Sequence, residues 1–150
     1  MNGIRQILLV EDSPADAEMT MDALSTNNLA NEIILVEDGV AALDYLFRRG
    51  AYATRTPGNP AVILLDLKLP KLDGMEVLSA IRADSNLRLI PVVMLTSSAE
   101  ERDLVESYRH GANSYVVKPL DFREFVAQVA SLGVFWAAVN RPPPSSVVSR

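Results

Sequence analysis

The chain has 150 residues, no cysteine and a formal net charge of −5 at pH 7. Its length suits one domain that buries a core without covalent cross-links. The absence of cysteine excludes disulfides, thiolate chemistry and cysteine-rich zinc sites, and it fits a cytoplasmic protein. The negative charge offers no electrostatic footprint for nucleic acid, whereas a magnesium ion or a basic partner surface would complement it.

Strand and helix patterns alternate from the start of the chain. An apolar run at residues 7–10 predicts the first strand, and Ser13 predicts the N-cap of a helix that ends near Asn28. Residues 32–37 predict the second strand. Apolar residues at helical spacing follow, and Gly50 predicts the end of the second helix.

The middle of the chain continues this alternation. Residues 61–65 are a short apolar run, which predicts a buried third strand, and Asp73 predicts the start of a helix. Residues 91–96 predict the fourth strand. The residues Ser-Ala-Glu-Glu at 98–101 predict a capping box for the next helix, which Gly111 ends.

The last repeat of the pattern defines the fold class. Residues 114–117 predict the fifth strand, and Asp121 predicts the start of a long final helix. Five successive β-then-α units predict an α/β fold, a doubly wound parallel sheet with helices on both faces. The apolar stripe of the final helix consists of Phe122, Phe125, Val126, Val129, Leu132 and Trp136.

Two stretches lack regular patterns. Residues 51–60 predict a loop longer than most connections between a helix and a strand. Residues 141–150 contain three consecutive prolines and three serines, so we expect a domain over residues 1–140 and then a flexible tail. The apolar segment at 126–139 is shorter than the roughly 20 residues of a bilayer span, so we expect no membrane contact.

Polar side chains lie at the carboxyl ends of four of the five predicted strands. Glu11 and Asp12 follow the first strand, Asp66 follows the third, Thr96 ends the fourth and Lys118 follows the fifth. The carboxyl ends of parallel strands share one edge of the sheet, where open α/β folds place their sites. Carboxylates at such an edge suit Mg²⁺, and one of them could attack a phosphoryl group to form an acyl phosphate. Each residue alone is typical of a turn, a cap or the surface, and only their coincidence favours a shared site.

The motifs that carry these residues resemble those of the receiver domains of two-component response regulators. They read VEDS at 10–13, LDLKLP at 65–70 with DG at 73–74, LTS at 95–97, and YVVKP at 115–119. Each motif is weak alone, but the set occurs in the order and spacing of the family. The resemblance covers residues 5 to about 139.

The resemblance implies a fold and a chemistry. The fold would be the flavodoxin-like sheet of five parallel strands. Asp66 would accept a phosphoryl group from a phosphohistidine of a sensor histidine kinase, and Lys118 would pair with that group. Glu11, Asp12, Asp66 and the backbone carbonyl of Lys68 would arrange the magnesium ion, directly or through water.

The resemblance also implies a conformational switch. Thr96 would move toward the phosphoryl oxygens, and Tyr115 would rotate inward into the released space. Without the family, Tyr115 is typical of a half-buried aromatic residue in a strand. The side chain of Lys68 could steady the acyl phosphate, exclude the hydrolytic water or point to solvent, and the sequence leaves these alternatives open.

The end of the chain bears on output and partners. About ten residues follow the last helix, so we expect no DNA-binding domain and an output through protein contacts or a phosphorelay. The apolar end of the last helix and the long loop resemble the single-domain response regulators of bacterial phytochromes. That resemblance implies a bacteriophytochrome kinase as partner and a homodimer through the fourth and fifth helices and the fifth strand. Interface candidates are Phe135, Trp136 and Val139.

Three other functions remain as alternatives. A flavodoxin needs hydroxyls and amides in its phosphate loop, and the acid pair Glu11-Asp12 would repel a phosphate there. A serine hydrolase is disfavoured because His110, the single histidine, adjoins a predicted helix end and no nucleophile elbow is present. The third alternative is a receiver-like interaction module that works without phosphorylation.

Overall fold

Strands and helices alternate in the computed structural model, which describes residues 5–25 and 32–144. The strands are β1 (Gln6–Val10), β2 (Glu32–Val36), β3 (Val62–Leu65), β4 (Val92–Thr96) and β5 (Ser114–Val117). The helices are α1 (Pro14–Ser25), α2 (Gly39–Phe47), α3 (Gly74–Ala83), α4 (Glu101–Arg109) and α5 (Phe122–Gly133). A 3₁₀ turn at Gly50–Tyr52 follows α2, and a π-helical segment at Val134–Val139 continues α5.

The strands form one parallel sheet in the order β2-β1-β3-β4-β5. This is the flavodoxin-like order, and it confirms the predicted doubly wound fold. β1, β3 and β4 are buried along their whole length. Strands that are covered on both faces read as continuous apolar runs, which is why the sequence marks them so clearly.

Two apolar cores lie on opposite faces of the sheet. Leu8 and Val10 of β1 belong to the core that α2 and α3 cover. Ile7 and Leu9 belong to the core that α1 and α5 cover. Alternate residues of one strand therefore pack against different helix pairs, as the period of two in a strand requires.

Two predicted helix boundaries are wrong in detail. α4 begins at Glu101, and the predicted capping box at 98–101 does not form. The Ser98 hydroxyl accepts from the Glu100 N–H at 3.4 Å and donates to Asp103 Oδ2 at 2.5 Å. α2 ends before Gly50, since Arg48 already adopts the left-handed conformation with φ of 56°. The predicted end of the first helix near Asn28 lies outside the described residues.

The long loop before β3 is held by one guanidinium. Arg55 donates to the carbonyl oxygens of Tyr45 at 2.6 Å and Gly58 at 3.1 Å. Its guanidinium carbon also lies 4.1 Å from the centre of the Tyr45 ring. A stacked and hydrogen-bonded arginine of this kind fixes the path of a loop against the preceding helix.

The C-terminal helical region presents both buried and exposed apolar side chains. Phe125 and Val129 are buried in the core, and Trp136 packs against it from the edge. Phe135 is 47% exposed and contacts the Trp136 ring edge to face. The side chain of Val139 and the end of the predicted tail, 145–150, lie outside what the structure describes. Within the described residues, no helix is long and apolar enough to cross a bilayer.

The loop between β3 and α3 is tightly packed at Gly74. Asp73 caps α3 as predicted, because its carboxylate accepts from the Glu76 N–H at 3.0 Å while Glu76 accepts from the Asp73 N–H. A Cβ atom at Gly74 would lie 2.3 Å from the Asp66 carbonyl oxygen and 2.8 Å from the Leu67 Cα. Only glycine therefore lets the helix start this close to the end of β3.

We predict that Gly74→Ala lowers the free energy of unfolding by about 1–3 kcal/mol, the usual cost of an overpacked site. The new methyl group has to push against backbone atoms, which cannot rotate away. Urea unfolding followed by circular dichroism measures the change. Ser79→Ala, on the exposed side of the same helix, is the matched control and should stay within about 0.5 kcal/mol of the native chain. An equally small effect of Gly74→Ala would contradict this account.

Candidate functional site

Asp66 lies at the carboxyl edge of the sheet, directly after β3. Its backbone N–H donates to the Val10 carbonyl at 3.1 Å, so the pairing of β1 with β3 extends to this residue. The side chain is only 10% exposed. The carboxylate is thus held by a central strand at the bottom of the cleft, where its position depends on the sheet and not on a mobile loop.

Two further acids reach the same point from the end of β1. Glu11 is almost fully buried, and its backbone N–H donates to the Val36 carbonyl at 3.0 Å. Its carboxylate also accepts from the Ser13 N–H at 3.1 Å, while Asp12 is exposed at the mouth of the cleft. Oxygen atoms of Glu11, Asp12 and Asp66 lie within 4.8 Å of one another.

Lys118 enters the cleft from the end of β5. Its backbone N–H donates to the Thr96 carbonyl at 2.7 Å, which ties the residue to the end of β4. The side chain is only 7% exposed. Its Nζ atom donates to three carboxylates, Glu11 Oε1 at 2.5 Å, Asp16 Oδ2 at 3.0 Å and Asp66 Oδ2 at 3.2 Å.

Burial and pairing act in opposite directions on these charges. Burial by itself would lower the pKa of the Lys118 ammonium, but the hydrogen bond to Glu11 and the charge of Asp66 outweigh it and raise that pKa. Lys118 therefore stays charged at neutral pH. Burial raises the pKa of the Glu11 carboxyl, although its hydrogen bond to Lys118 opposes the shift.

The donor set fits a hard divalent cation. Three carboxylates converge at one edge of the cleft, and Asp12 leaves that edge open to water. Mg²⁺ prefers oxygen ligands and keeps several waters, so an open carboxylate cluster suits it. The Lys68 side chain is exposed, which agrees with the alternative that it points to solvent. The role of the Lys68 backbone carbonyl as a ligand stays a prediction.

The two predicted switch residues contact the same residue of the loop after β4. Thr96 is fully buried, and its hydroxyl oxygen accepts from the Ser98 N–H at 3.2 Å. Tyr115 is half-buried, and its hydroxyl donates to the Ser98 carbonyl at 2.9 Å. Burial raises the pKa of the Tyr115 phenol. Ser98 thus connects the two side chains, a link that the sequence motifs did not indicate.

Sequence reasoning missed one residue of the site, Asp16. It lies in the first turn of α1, and its carboxylate contacts the Lys118 ammonium. A signal was present, because Asp16 follows Asp12 by four residues and lies in the first turn of the helix. An acid in the first turn of a helix is so common for electrostatic reasons that it does not by itself indicate a site. His110 caps the end of α4 and is partly exposed, as expected for a residue outside the site.

Comparison with protein families and known structures agrees with this geometry. The family model of the response regulator receiver domain matches residues 7–130. Response regulator Rcp1 of Synechocystis sp. is 40% identical over 135 residues, which cover 90% of this chain and 90% of Rcp1. The crystal structure of the Mn²⁺-bound form of Rcp1 superposes with a TM-score of 0.87 at 39% identity, covering 93% of this chain and 99% of that one.

Two structures of phytochrome response regulators are also similar. The phosphorylated cyanobacterial phytochrome response regulator RcpA has a TM-score of 0.88 at 38% identity, covering 93% of this chain and 99% of its own. The bacteriophytochrome response regulator RtBRR is 59% identical with a TM-score of 0.75, covering 95% of this chain and 86% of its own. The chain therefore belongs to the response regulator receiver family of signalling proteins.

Proposed function

We propose that Asp66 is the phosphoacceptor and that its phosphorylation requires Mg²⁺. The observation that carries the proposal is the buried Lys118 ammonium, which contacts Asp66 beside a cluster of three carboxylates. An ammonium placed this way can pair with the oxygens of a phosphoryl group on Asp66. The two remaining acids, Glu11 and Asp12, face the same point and would share the metal with Asp66.

The position of each acid supports Asp66 as the nucleophile. Glu11 is committed to hydrogen bonds with the Ser13 N–H and Lys118, and it is almost fully buried. Asp12 is exposed and has no contact with the Lys118 ammonium among the described ion pairs. Asp66 contacts the ammonium from the end of β3, the middle strand of the sheet, and its carboxylate accepts no second hydrogen bond among those described.

The proposed reaction transfers a phosphoryl group from a phosphohistidine. A carboxylate oxygen of Asp66 forms a bond to phosphorus as the phosphorus–nitrogen bond breaks, and the imidazole keeps the electron pair and takes a proton from solvent. Lys118 pairs with the transferred oxygens, and Glu11 keeps Lys118 in place. Bound Mg²⁺ would neutralise the negative charge of the phosphoryl oxygens. The chain would promote its own phosphorylation and later hydrolysis, without turning over another substrate.

Intact-protein mass after incubation with a small acyl phosphate tests this proposal. The native chain should gain one phosphoryl group with Mg²⁺ and none without it. Asp66→Asn should gain none, because an amide oxygen is a poor nucleophile. Asp73→Asn makes the same change at the cap of α3 and should behave as the native chain does. A native chain that binds Mg²⁺ but gains no mass would favour the interaction module that works without phosphorylation.

The metal site has a separate test by thermal unfolding. Mg²⁺ at one hundred times its dissociation constant should stabilise the native chain by about 2.7 kcal/mol. Asp12→Asn should lose most of this gain, because the site loses one charged ligand. Asp22→Asn, an exposed acid farther along α1, should keep it. Equal stabilisation of all three chains would show that Mg²⁺ binds elsewhere or without specificity.

We further propose a bacteriophytochrome sensor histidine kinase as the partner. The support is similarity to RtBRR and RcpA, both response regulators of phytochromes. Because such a kinase uses ATP, the cytoplasm is the compartment that we propose. The proposal takes residues 1–140 as the receiver unit and residues 141–150 as a tail.

The homodimer remains part of the proposal, through α4, β5 and α5. β5 is an edge strand of the sheet, and Val117 at its end is partly exposed. Val105 and Tyr108 of α4 are 43% and 49% exposed, and Phe135 adds an aromatic side chain beyond α5. Several large apolar side chains on consecutive elements favour a protein interface over isolated surface positions.

Sedimentation velocity tests the dimer with two matched variants. Phe135→Ser should weaken dimerisation by about tenfold or more, because aromatic anchors carry much of the energy of an interface. Leu89→Ser removes an exposed apolar side chain from the loop before β4 and should have no effect. A native chain that stays monomeric at high concentration, with or without phosphorylation, would refute the dimer.

A further inference from the structure

All N–H donors of the Lys118 ammonium are engaged in hydrogen bonds in this structure. An ammonium group carries three N–H donors, and all three point at carboxylates: Glu11, Asp16 and Asp66. The motifs account for Glu11 and Asp66, but they assign nothing to Asp16. A phosphoryl donor that approaches Asp66 needs an N–H of Lys118 while Asp66 is still a carboxylate, so one existing contact has to yield.

The backbone of Asp16 is fixed by the start of α1. Its N–H donates to the Ser13 hydroxyl at 3.3 Å, and its carbonyl accepts from the fully buried Thr20 hydroxyl at 2.7 Å. The carboxylate therefore reaches Lys118 from a helix and not from a loose loop. Helix α1 in turn packs against α5. The contact between Asp16 and Lys118 therefore depends on the position of α1 in the fold.

The three carboxylates differ in what it costs to release them. The Glu11 and Asp66 side chains are 2% and 10% exposed, so losing the ammonium would leave a buried charge unpaired. The Asp16 side chain is 33% exposed, and water can solvate it once it is released. The contact with Asp16 is therefore the one that an incoming phosphoryl oxygen can displace at least cost.

We propose that Asp16 is a positioning residue that holds the Lys118 ammonium before phosphorylation and yields it to the incoming phosphoryl group. Asp16 touches neither the donor nor phosphorus, and it acts through Lys118. This inference rests on the proposed function of Asp66. In this inference Asp16 affects the half-saturating concentration of the phosphodonor and takes no part in the transfer of the phosphoryl group.

The Asp16 carboxylate and the phosphodonor are expected to compete for the Lys118 ammonium. This competition should raise the phosphodonor concentration that gives half the maximal rate in the native chain. Acetyl phosphate is the probe, and its phosphorus–oxygen bond to acetate breaks as the bond to Asp66 forms. Asp16→Asn keeps the shape of the side chain and removes the charge that binds Lys118. It should lower the half-saturating concentration on the order of fivefold, the scale of a partly exposed ion pair. The maximal rate should stay within about twofold, because only a ground-state contact is lost.

The experiment measures initial rates of mass gain across a range of acetyl phosphate concentrations with saturating Mg²⁺. High salt screens the long-range repulsion between the acidic cleft and the anionic donor, which the removal of any nearby negative charge would reduce. Glu18→Gln is the matched control, because Glu18 lies on the same helix as Asp16 and lines a groove together with Glu11 and Asp12. It has no contact with Lys118 among the described ion pairs. Asp16→Glu should restore the native value, and Asp16→Ala should reproduce the shift of Asp16→Asn.

The outcomes separate this inference from the function on which it rests. A native chain that gains no phosphoryl group overturns both. A native chain that is phosphorylated normally, with Asp16→Asn no different from Glu18→Gln, overturns the role of Asp16 alone. A fall in the maximal rate of Asp16→Asn also overturns it, because Asp16 would then support the reacting geometry and not compete with it.

Discussion

The contact of the Lys118 ammonium with Glu11 and Asp66 is the interaction on which the site depends. It joins the ends of β1, β3 and β5, and these strands lie at different positions in the sheet. A buried ammonium is stable only when its partners stand within hydrogen-bond distance, and buried carboxylates need the ammonium for the same reason. The charge arrangement therefore depends on the parallel register of these strands.

The balance of charge in the cleft explains why the site is suited to phosphate chemistry. Among the described residues, Glu11, Asp16 and Asp66 share the Lys118 ammonium and Asp12 adds a fourth carboxylate beside them. Negative charge is therefore in excess before any ligand binds. Such a cleft attracts a divalent cation and repels an unaccompanied phosphate. The proposed cation requirement and the proposed carboxylate nucleophile thus have one electrostatic origin. It is also why the loop after β1 cannot serve as the phosphate loop of a flavodoxin.

The sequence was sufficient for the parts of the structure that depend on local patterns. The apolar runs fixed β1, β3 and β4, and the chemistry of parallel strand ends brought Glu11, Asp66 and Lys118 to one edge. The sequence was insufficient where tertiary contacts override local conformational preference. Arg48 ends α2 in a conformation that glycine usually adopts. Asp16 acquires its partner only when the fold brings Lys118, after β5, to the first turn of α1. Side-chain direction on a helix is determined by packing, which no short motif encodes.

Ser98 shows how a change at the cleft could reach a distant face. Its N–H binds the Thr96 hydroxyl oxygen, and its carbonyl binds the Tyr115 hydroxyl. The movement of Thr96 toward a phosphoryl group, which the family resemblance implies, would draw that hydroxyl from the Ser98 N–H. Loss of that bond would free the Ser98 backbone, which would then no longer hold its carbonyl against Tyr115. The two side chains are therefore linked through one residue, Ser98, and a shift of a single hydroxyl would become a change at β5, the edge strand that we propose for the dimer.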